Sequence, residues 1–122
     1  MEKEELYNKA WCIYDGDMQL DILIEEMAEL THAIIKARRY NVTWSHEVLE
    51  EIADVTICLE QVDTRLKALP TDIDRETNRP TGYLFDIVEE LKASKLARLE
   101  ERLCAAKGGR GVKDDGSESM ED

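Results

Sequence analysis

The sequence is poor in the features that mark several common classes of protein. Its three cysteines, Cys12, Cys58 and Cys104, are odd in number and far apart, which argues against a disulfide framework and against a zinc site. It has no glycine-rich phosphate loop, no internal repeat and no alternating apolar and polar strand pattern. It also lacks an apolar run near the ~20 residues that a membrane-spanning helix needs. Because these features are absent, we expect a helical protein whose cysteines are reduced thiols.

An excess of acidic residues restricts the partners of the chain. Its 28 Asp and Glu residues outnumber 16 Lys and Arg, which gives a net charge of −12. Such a charge argues against binding to nucleic acid or to a membrane surface through bulk electrostatics. The charged segment at residues 1–5 does not resemble a signal peptide, so we expect a cytoplasmic protein.

Apolar periodicity predicts four helices in a single domain, which 122 residues with 43% hydrophobic content can support. The predicted helices cover residues 2–14, 18–39, 45–69 and 82–106. Gly16 is expected to end the first helix and Asp17 to cap the second, while Thr43 or Ser45 caps the third. The main apolar stripe of the second helix comprises Leu20, Leu23, Met27, Leu30 and Ile34.

The remaining segments are predicted to be irregular. Residues 70–80 are polar, carry a proline at each end and are interpreted as a linker. Residues 107–122 have the composition of a disordered acidic tail, which leaves residues 1–106 as the folded domain. The predicted fold class is all-α, a four-to-five-helix bundle.

Two pairs of acidic residues lie in the most apolar predicted helices. Glu26 and Glu29 are three residues apart in the second helix, and Glu51 and Asp54 are three apart in the third. Residues at that spacing are neighbours on a helix surface. A short loop would lay the two helices antiparallel, so four carboxylates would converge and repel one another unless a cation lay among them. Oxygen ligands without Cys or His favour Mg²⁺ or Mn²⁺.

Two other interpretations of these residues stay open. In a chain with 28 acidic residues, such spacings also arise by chance on solvated helix faces. His32 follows Glu29 at the spacing of the Glu-x-x-His pattern of di-iron bundles, but Asp54 stands where the second histidine would be needed. Because the second histidine of the di-iron pattern is missing, we interpret His32 and His46 as ordinary surface or loop histidines.

The two halves of this pattern, EExxE at residues 25–29 and ExxD at residues 51–54, together resemble the signature of the MazG-like all-α nucleotide pyrophosphohydrolases. This family includes dimeric dUTPases and dCTP pyrophosphatases. The Lys-Leu-Ala-Arg-Leu run at residues 95–99 is also similar to the family, and the resemblance covers residues 5–105. The polar insert at residues 70–80 departs from it.

The resemblance implies Mg²⁺-dependent hydrolysis of a nucleoside triphosphate, a deoxynucleotide in our interpretation, to a monophosphate and pyrophosphate. It implies Glu26, Glu29, Glu51 and Asp54 as the metal ligands, and Glu25 or Glu50 as the group that activates water. Lys36, Lys95 and Arg98 would contact phosphates, and Gln19 and Trp11 would lie on the base side. A homodimer or homotetramer would complete the site.

The basic and aromatic residues also have simpler interpretations. Lys95 and Arg98 alternate with glutamates along their helix and can form intrahelical ion pairs. Trp11, Tyr14 and Trp44 can belong to the core. The alternative function is a non-catalytic helical interaction module that retains the acidic motif.

Overall fold

The computed structural model describes residues 1–109, which are 75% helical. The elements are α1 (Lys3–Ile13), α2 (Gly16–Arg39), α3 (His46–Leu66), β1 (Pro70–Asp74), β2 (Arg79–Tyr83) and α4 (Leu84–Gly109). They divide into two compact units, residues 1–65 and residues 66–109. None of the helices in residues 1–109 has the length and apolar character that crossing a membrane requires. The mostly helical fold is therefore confirmed.

The junction between α1 and α2 lies slightly earlier than the sequence predicts. Asp15, and not Asp17, caps α2, because its Oδ1 accepts a hydrogen bond from the Met18 backbone N–H at 2.8 Å. Gly16 is the first residue of α2 and does not end α1. An aspartate at the N-cap satisfies one of the free N–H groups of the first turn.

The turn between α2 and α3 is determined by local hydrogen bonds. Asn41 has a φ of 57°, a left-handed conformation that asparagine tolerates better than most residues. The N–H groups of Val42 and Asn41 donate to the carbonyls of Ala37 and Arg38, which forms the Schellman motif at the end of α2. Ser45 caps α3, because its Oγ accepts a hydrogen bond from the Val48 N–H. Ser45 is one of the two caps that the sequence predicts.

A small apolar core joins α2 to α3 near this turn. Ala33, Ala37 and Val48 are buried, and four half-buried residues pack against them: Leu30, Val42, Trp44 and Ile52. The buried side chains of Ala33 and Ala37 on α2 pack with Val48 at the start of α3, and the short turn between the helices makes them antiparallel. We call the line of contact between α2 and α3 the seam. The acidic residues Glu26, Glu51 and Asp54 lie along this seam.

Polar contacts hold α1 against α3. The Tyr7 hydroxyl donates to Glu60 Oε1 at 2.7 Å, and the Trp11 Nε1–H donates to the Gln61 carbonyl at 2.7 Å. The Arg65 guanidinium lies 5.9 Å from the centroid of the Trp11 ring, within the range of a cation–π contact. The polar ends of the aromatic residues of α1 are thus engaged within the fold.

The predicted main apolar stripe of α2 is only partly buried, which corrects the sequence-based expectation. Leu20, Met27 and Ile34 are all exposed, whereas Ala33 and Ala37 on the adjoining face are buried. The reason is geometric, because α3 packs on the face with small residues. The apolar residues of α4 are exposed too, with Leu91, Leu96, Leu99 and Leu103 between 43% and 62% exposed.

A β-hairpin replaces the predicted polar linker in the second unit. Strands β1 and β2 pair antiparallel, with Ile73 opposite Pro80 and Asp74 opposite Arg79. Asn78 has a φ of 57° and donates its N–H to the Asp74 carbonyl at 2.7 Å, which closes the turn. Helix α4 begins at Leu84 and continues to Gly109, so residues 107–109 of the predicted tail are helical. Residues 110–122 of that tail lie outside the described residues.

Candidate metal centre

Three of the four predicted metal ligands meet on the seam between α2 and α3. Glu26, Glu51 and Asp54 each present one carboxylate oxygen, and these oxygens lie within 4.8 Å of one another. Glu26 lies two turns before the buried Ala33 on α2, and Glu51 lies one turn after the buried Val48 on α3. The antiparallel packing of the two helices therefore brings residues 25 positions apart into one cluster.

Two oxygens of this cluster are buried without a partner. Glu26 Oε2 and Glu51 Oε2 are inaccessible to solvent and have no hydrogen-bond partner in the described part of the chain. A buried carboxylate oxygen without a donor is unfavourable. The cluster could therefore hold a cation, and its all-oxygen chemistry fits Mg²⁺ or Mn²⁺.

The electrostatics of the cluster also favour a positive ion. Burial is the main cause that raises the pKa of Glu26 above its ordinary value, and the charges of Glu29 and Asp54 raise it further. The same causes, with the charge of Glu26 added, raise the pKa of Glu51. Both carboxylates are therefore destabilised in their ionised form, and a bound cation would reverse the effect.

Glu29, the fourth predicted ligand, lies beside the cluster rather than within it. Its side chain is exposed, and none of its oxygens belongs to the group within 4.8 Å. Its charge nevertheless acts on Glu26 and Glu51.

Glu29 also contributes to a cleft that opens next to the cluster. This cleft, of about 490 Å³, is lined by Ala28, Glu29, His32, Glu47 and Glu51.

Glu47 is a residue that the sequence analysis missed. It lines the cleft one helical turn before Glu51, and its Oε2 lies 3.2 Å from the Lys36 Nζ. The i,i+4 spacing from Glu51 was the available signal for placing Glu47 on the same helix face. Lys36, predicted to contact phosphates, therefore lies at the edge of the cleft and is paired with an acid.

The two residues predicted to activate water are both at the surface. Glu25 is exposed, and Glu50 is exposed with its Oε1 2.8 Å from the His46 Nε2. Cys58, in contrast, is half-buried close to the cluster, where burial and the charges of Glu26 and Asp54 raise the pKa of its thiol.

The residues predicted on the base side have structural partners. Gln19 is buried, and its Nε2 donates to the Ala10 carbonyl at 3.1 Å. The Trp11 indole N–H is bonded to α3, as described above. Lys95 and Arg98 are exposed on α4, in the second unit.

Comparisons of the chain with protein-family models, with curated proteins and with solved structures found no match. The family suggested by the acidic motif therefore stays a prediction, and the functional argument depends on the geometry of the cluster.

Proposed function

We propose that the chain is a Mg²⁺-dependent nucleoside triphosphate pyrophosphohydrolase of the MazG-like type, acting on a deoxynucleotide. The observation that carries the proposal is the convergence of Glu26, Glu51 and Asp54, with two buried oxygens that have no donor among the described residues. The order of the two acidic motifs along the chain supports it.

Glu26, Glu51 and Asp54 would hold the metal ion, and Glu29, which lines the adjoining cleft together with Glu51, would be the fourth ligand. Mg²⁺ or Mn²⁺, when bound at such a site, neutralises phosphate charge and lowers the pKa of a coordinated water. These two effects supply most of what phosphoryl transfer requires from a protein.

The chemistry proposed for the chain is hydrolysis at the α-phosphorus. The oxygen of a water molecule attacks that atom, the bond from the α-phosphorus to the bridging oxygen breaks, and pyrophosphate leaves. Glu25 or Glu50 would accept the proton of the attacking water, since each precedes a ligand in its motif. Glu50 would have to release His46 to do so.

Phosphate contacts are assigned to Lys36, Lys95 and Arg98. Lys36 is supported by its position at the edge of the cleft. For Gln19 and Trp11, the bonds of their side-chain N–H groups to backbone carbonyls favour a role in holding α1 over direct contact with a base.

A homodimer or homotetramer is part of the proposal. Large apolar side chains are exposed on α2 and on α4, including Ile24 at 60% and Leu96 at 62%. Exposed apolar residues in this number, on each of the two units, support contact with another protein. A second copy of the chain is the partner that the resemblance implies.

The proposal is tested with a panel of canonical and modified nucleoside triphosphates, with and without Mg²⁺, in an assay that separates pyrophosphate from orthophosphate. We expect a monophosphate and pyrophosphate from one or a few substrates, only with metal. Glu29→Gln and Asp54→Asn should each abolish turnover with the helical circular dichroism unchanged. Full activity in both variants would refute the assignment.

The exposed apolar faces also favour a second candidate, the interaction module without catalysis. That protein would bind its partner equally well with Mg²⁺ or with EDTA, and Glu29→Gln and Asp54→Asn would leave the binding unchanged. Folded protein that binds Mg²⁺ but turns over no member of the panel would favour this candidate.

A further inference from the structure

The seam between α2 and α3 carries two facing rows of polar residues. On α2 the row is Glu29, His32 and Lys36, at spacings of three and four. On α3 the row is Glu47, Glu51 and Asp54, at spacings of four and three. These intervals place each row on one helix face.

Contacts fix how the two rows meet. Glu29, His32, Glu47 and Glu51 line one cleft, and Lys36 pairs with Glu47 at its edge. The seam is therefore acidic where Glu26, Glu51 and Asp54 meet. Lys36 lies at the other end of the two rows, near the apolar core, where it pairs with Glu47.

We infer that Glu47 is an internal competitor of the substrate: it holds the Lys36 ammonium in the free protein and releases it to the polyphosphate chain of the nucleotide. The inference rests on the proposed function and adds the direction in which the phosphates lie. They extend from the three clustered carboxylates along the seam toward Lys36.

The span along α3 suits a chain of phosphates. Glu47 precedes Glu51 by one turn, which corresponds to about 6 Å along the helix axis. A polyphosphate with one end at the carboxylate cluster therefore reaches the Lys36–Glu47 pair. There it meets an acid that repels it and an ammonium that attracts it.

The pair is of a kind that exchanges easily. The side chains of Lys36 and Glu47 are 54% and 44% exposed, so solvent screens their attraction. A phosphate carries more negative charge than one carboxylate and is a stronger partner for lysine. Binding of the polyphosphate would shift Lys36 from one partner to the other and leave Glu47 to solvent.

The test measures binding of inorganic tripolyphosphate by calorimetry, in Mg²⁺ at low ionic strength, so that it does not depend on turnover. We expect Glu47→Gln to lower the dissociation constant and Lys36→Gln to raise it, each by about three- to fivefold for a half-exposed charge pair. In the double variant Lys36→Gln, Glu47→Gln, the increase in affinity caused by Glu47→Gln should largely disappear, because that increase depends on Lys36.

Glu5→Gln is the matched control. Glu5 pairs with Lys9 at 3.9 Å on α1 and is not among the residues that line the cleft. The substitution removes the same charge and also breaks an ion pair. The dissociation constant of the Glu5→Gln variant for tripolyphosphate should equal that of the wild-type chain.

The outcomes separate this inference from the proposed function. The inference would be overturned if Glu47→Gln still increased the affinity for tripolyphosphate in a chain that lacks Lys36, or if Glu5→Gln increased it equally. Either result would show general charge repulsion. Weaker binding in Glu47→Gln would identify Glu47 as a metal ligand and overturn it as well. In both cases the wild-type chain still binds tripolyphosphate, so the proposed function stands. A wild-type chain that binds no tripolyphosphate and hydrolyses no nucleotide refutes both.

Discussion

Asp54→Asn is expected to stabilise the metal-free protein while it removes the response to metal. The Asp54 carboxylate lies within 4.8 Å of a Glu26 oxygen. Two unit charges at this separation repel by about 0.9 kcal/mol at the dielectric constant of water and by about 3.5 kcal/mol at an effective value of 20. Because Asp54 is exposed, the lower value applies, and the substitution should raise the free energy of unfolding by about 1 kcal/mol.

If the cluster binds Mg²⁺ as proposed, the metal should make the wild-type chain more stable than the Asp54→Asn variant. A wild-type chain with Mg²⁺ at about 100 times its dissociation constant gains about 2.7 kcal/mol. The Asp54→Asn variant lacks one of the proposed ligands and should gain much less at the same concentration. Urea denaturation in EDTA and in Mg²⁺ measures both effects on the same protein, with circular dichroism of the helices as the signal.

Asp21→Asn is the control for this experiment. Asp21 is exposed on α2 and is not part of the carboxylate cluster, so the variant changes net charge equally without touching the site. It should match the wild-type chain in both buffers. The reasoning would be refuted if Asp54→Asn lowered stability in EDTA, or if its stabilisation by Mg²⁺ equalled that of the wild-type chain.

Three further predictions concern titration, the turn and assembly. The raised pKa of Glu26 means that the folded chain holds protons that the unfolded chain has released, so this group makes stability fall as pH rises from about 4.5 through the raised value. Urea midpoints in EDTA should therefore decline less with pH in Glu26→Gln than in the wild-type chain, and Mg²⁺ should reduce the wild-type decline. Asn41→Val should cost about 1–2 kcal/mol in urea denaturation because its φ is positive, whereas Asn41→Gly should be close to neutral. Leu96→Glu should shift the chain toward monomers in sedimentation with its helical content unchanged, since Leu96 is 62% exposed.

The Ser45 cap and three members of the acidic cluster were accessible from the sequence because they depend on local spacing, whereas the predicted cap Asp17 was wrong and Asp15 caps α2. The Ser45 cap and the loop around Asn41 use hydrogen bonds between residues at most five positions apart. Glu26, Glu51 and Asp54 follow from the three-residue spacing within each acidic pair, which makes its members neighbours on a helix, and from a loop short enough to make α2 and α3 antiparallel. Such signals do not require knowledge of the packing.

The buried face of α2 and the hairpin depend on information that periodicity does not contain. Two adjoining faces of α2 are apolar, and Ala33 and Ala37 are buried because the start of α3 packs on their face. Strands β1 and β2 are mostly exposed and polar, so no alternation appears, and the turn closes through Asp74 and Asn78. The Asp74 Oδ1 accepts a hydrogen bond from the Glu76 N–H at 3.0 Å, and Asn78 has a positive φ. An aspartate that can start a turn and an asparagine that tolerates positive φ were therefore the sequence signals that could have indicated the hairpin.

The arrangement of α2 separates the candidate metal centre from the candidate assembly surface. Glu26 lies on the seam with α3, within one chain, whereas Ile24 and Met27 lie on the exposed side of the same helix. Mg²⁺ binding should therefore persist in a monomeric Leu96→Glu chain. If turnover is lost in that chain while Mg²⁺ still stabilises it, the missing groups belong either to a second copy or to Lys95 and Arg98, which lie next to the substitution. If turnover persists too, one chain contains the complete site.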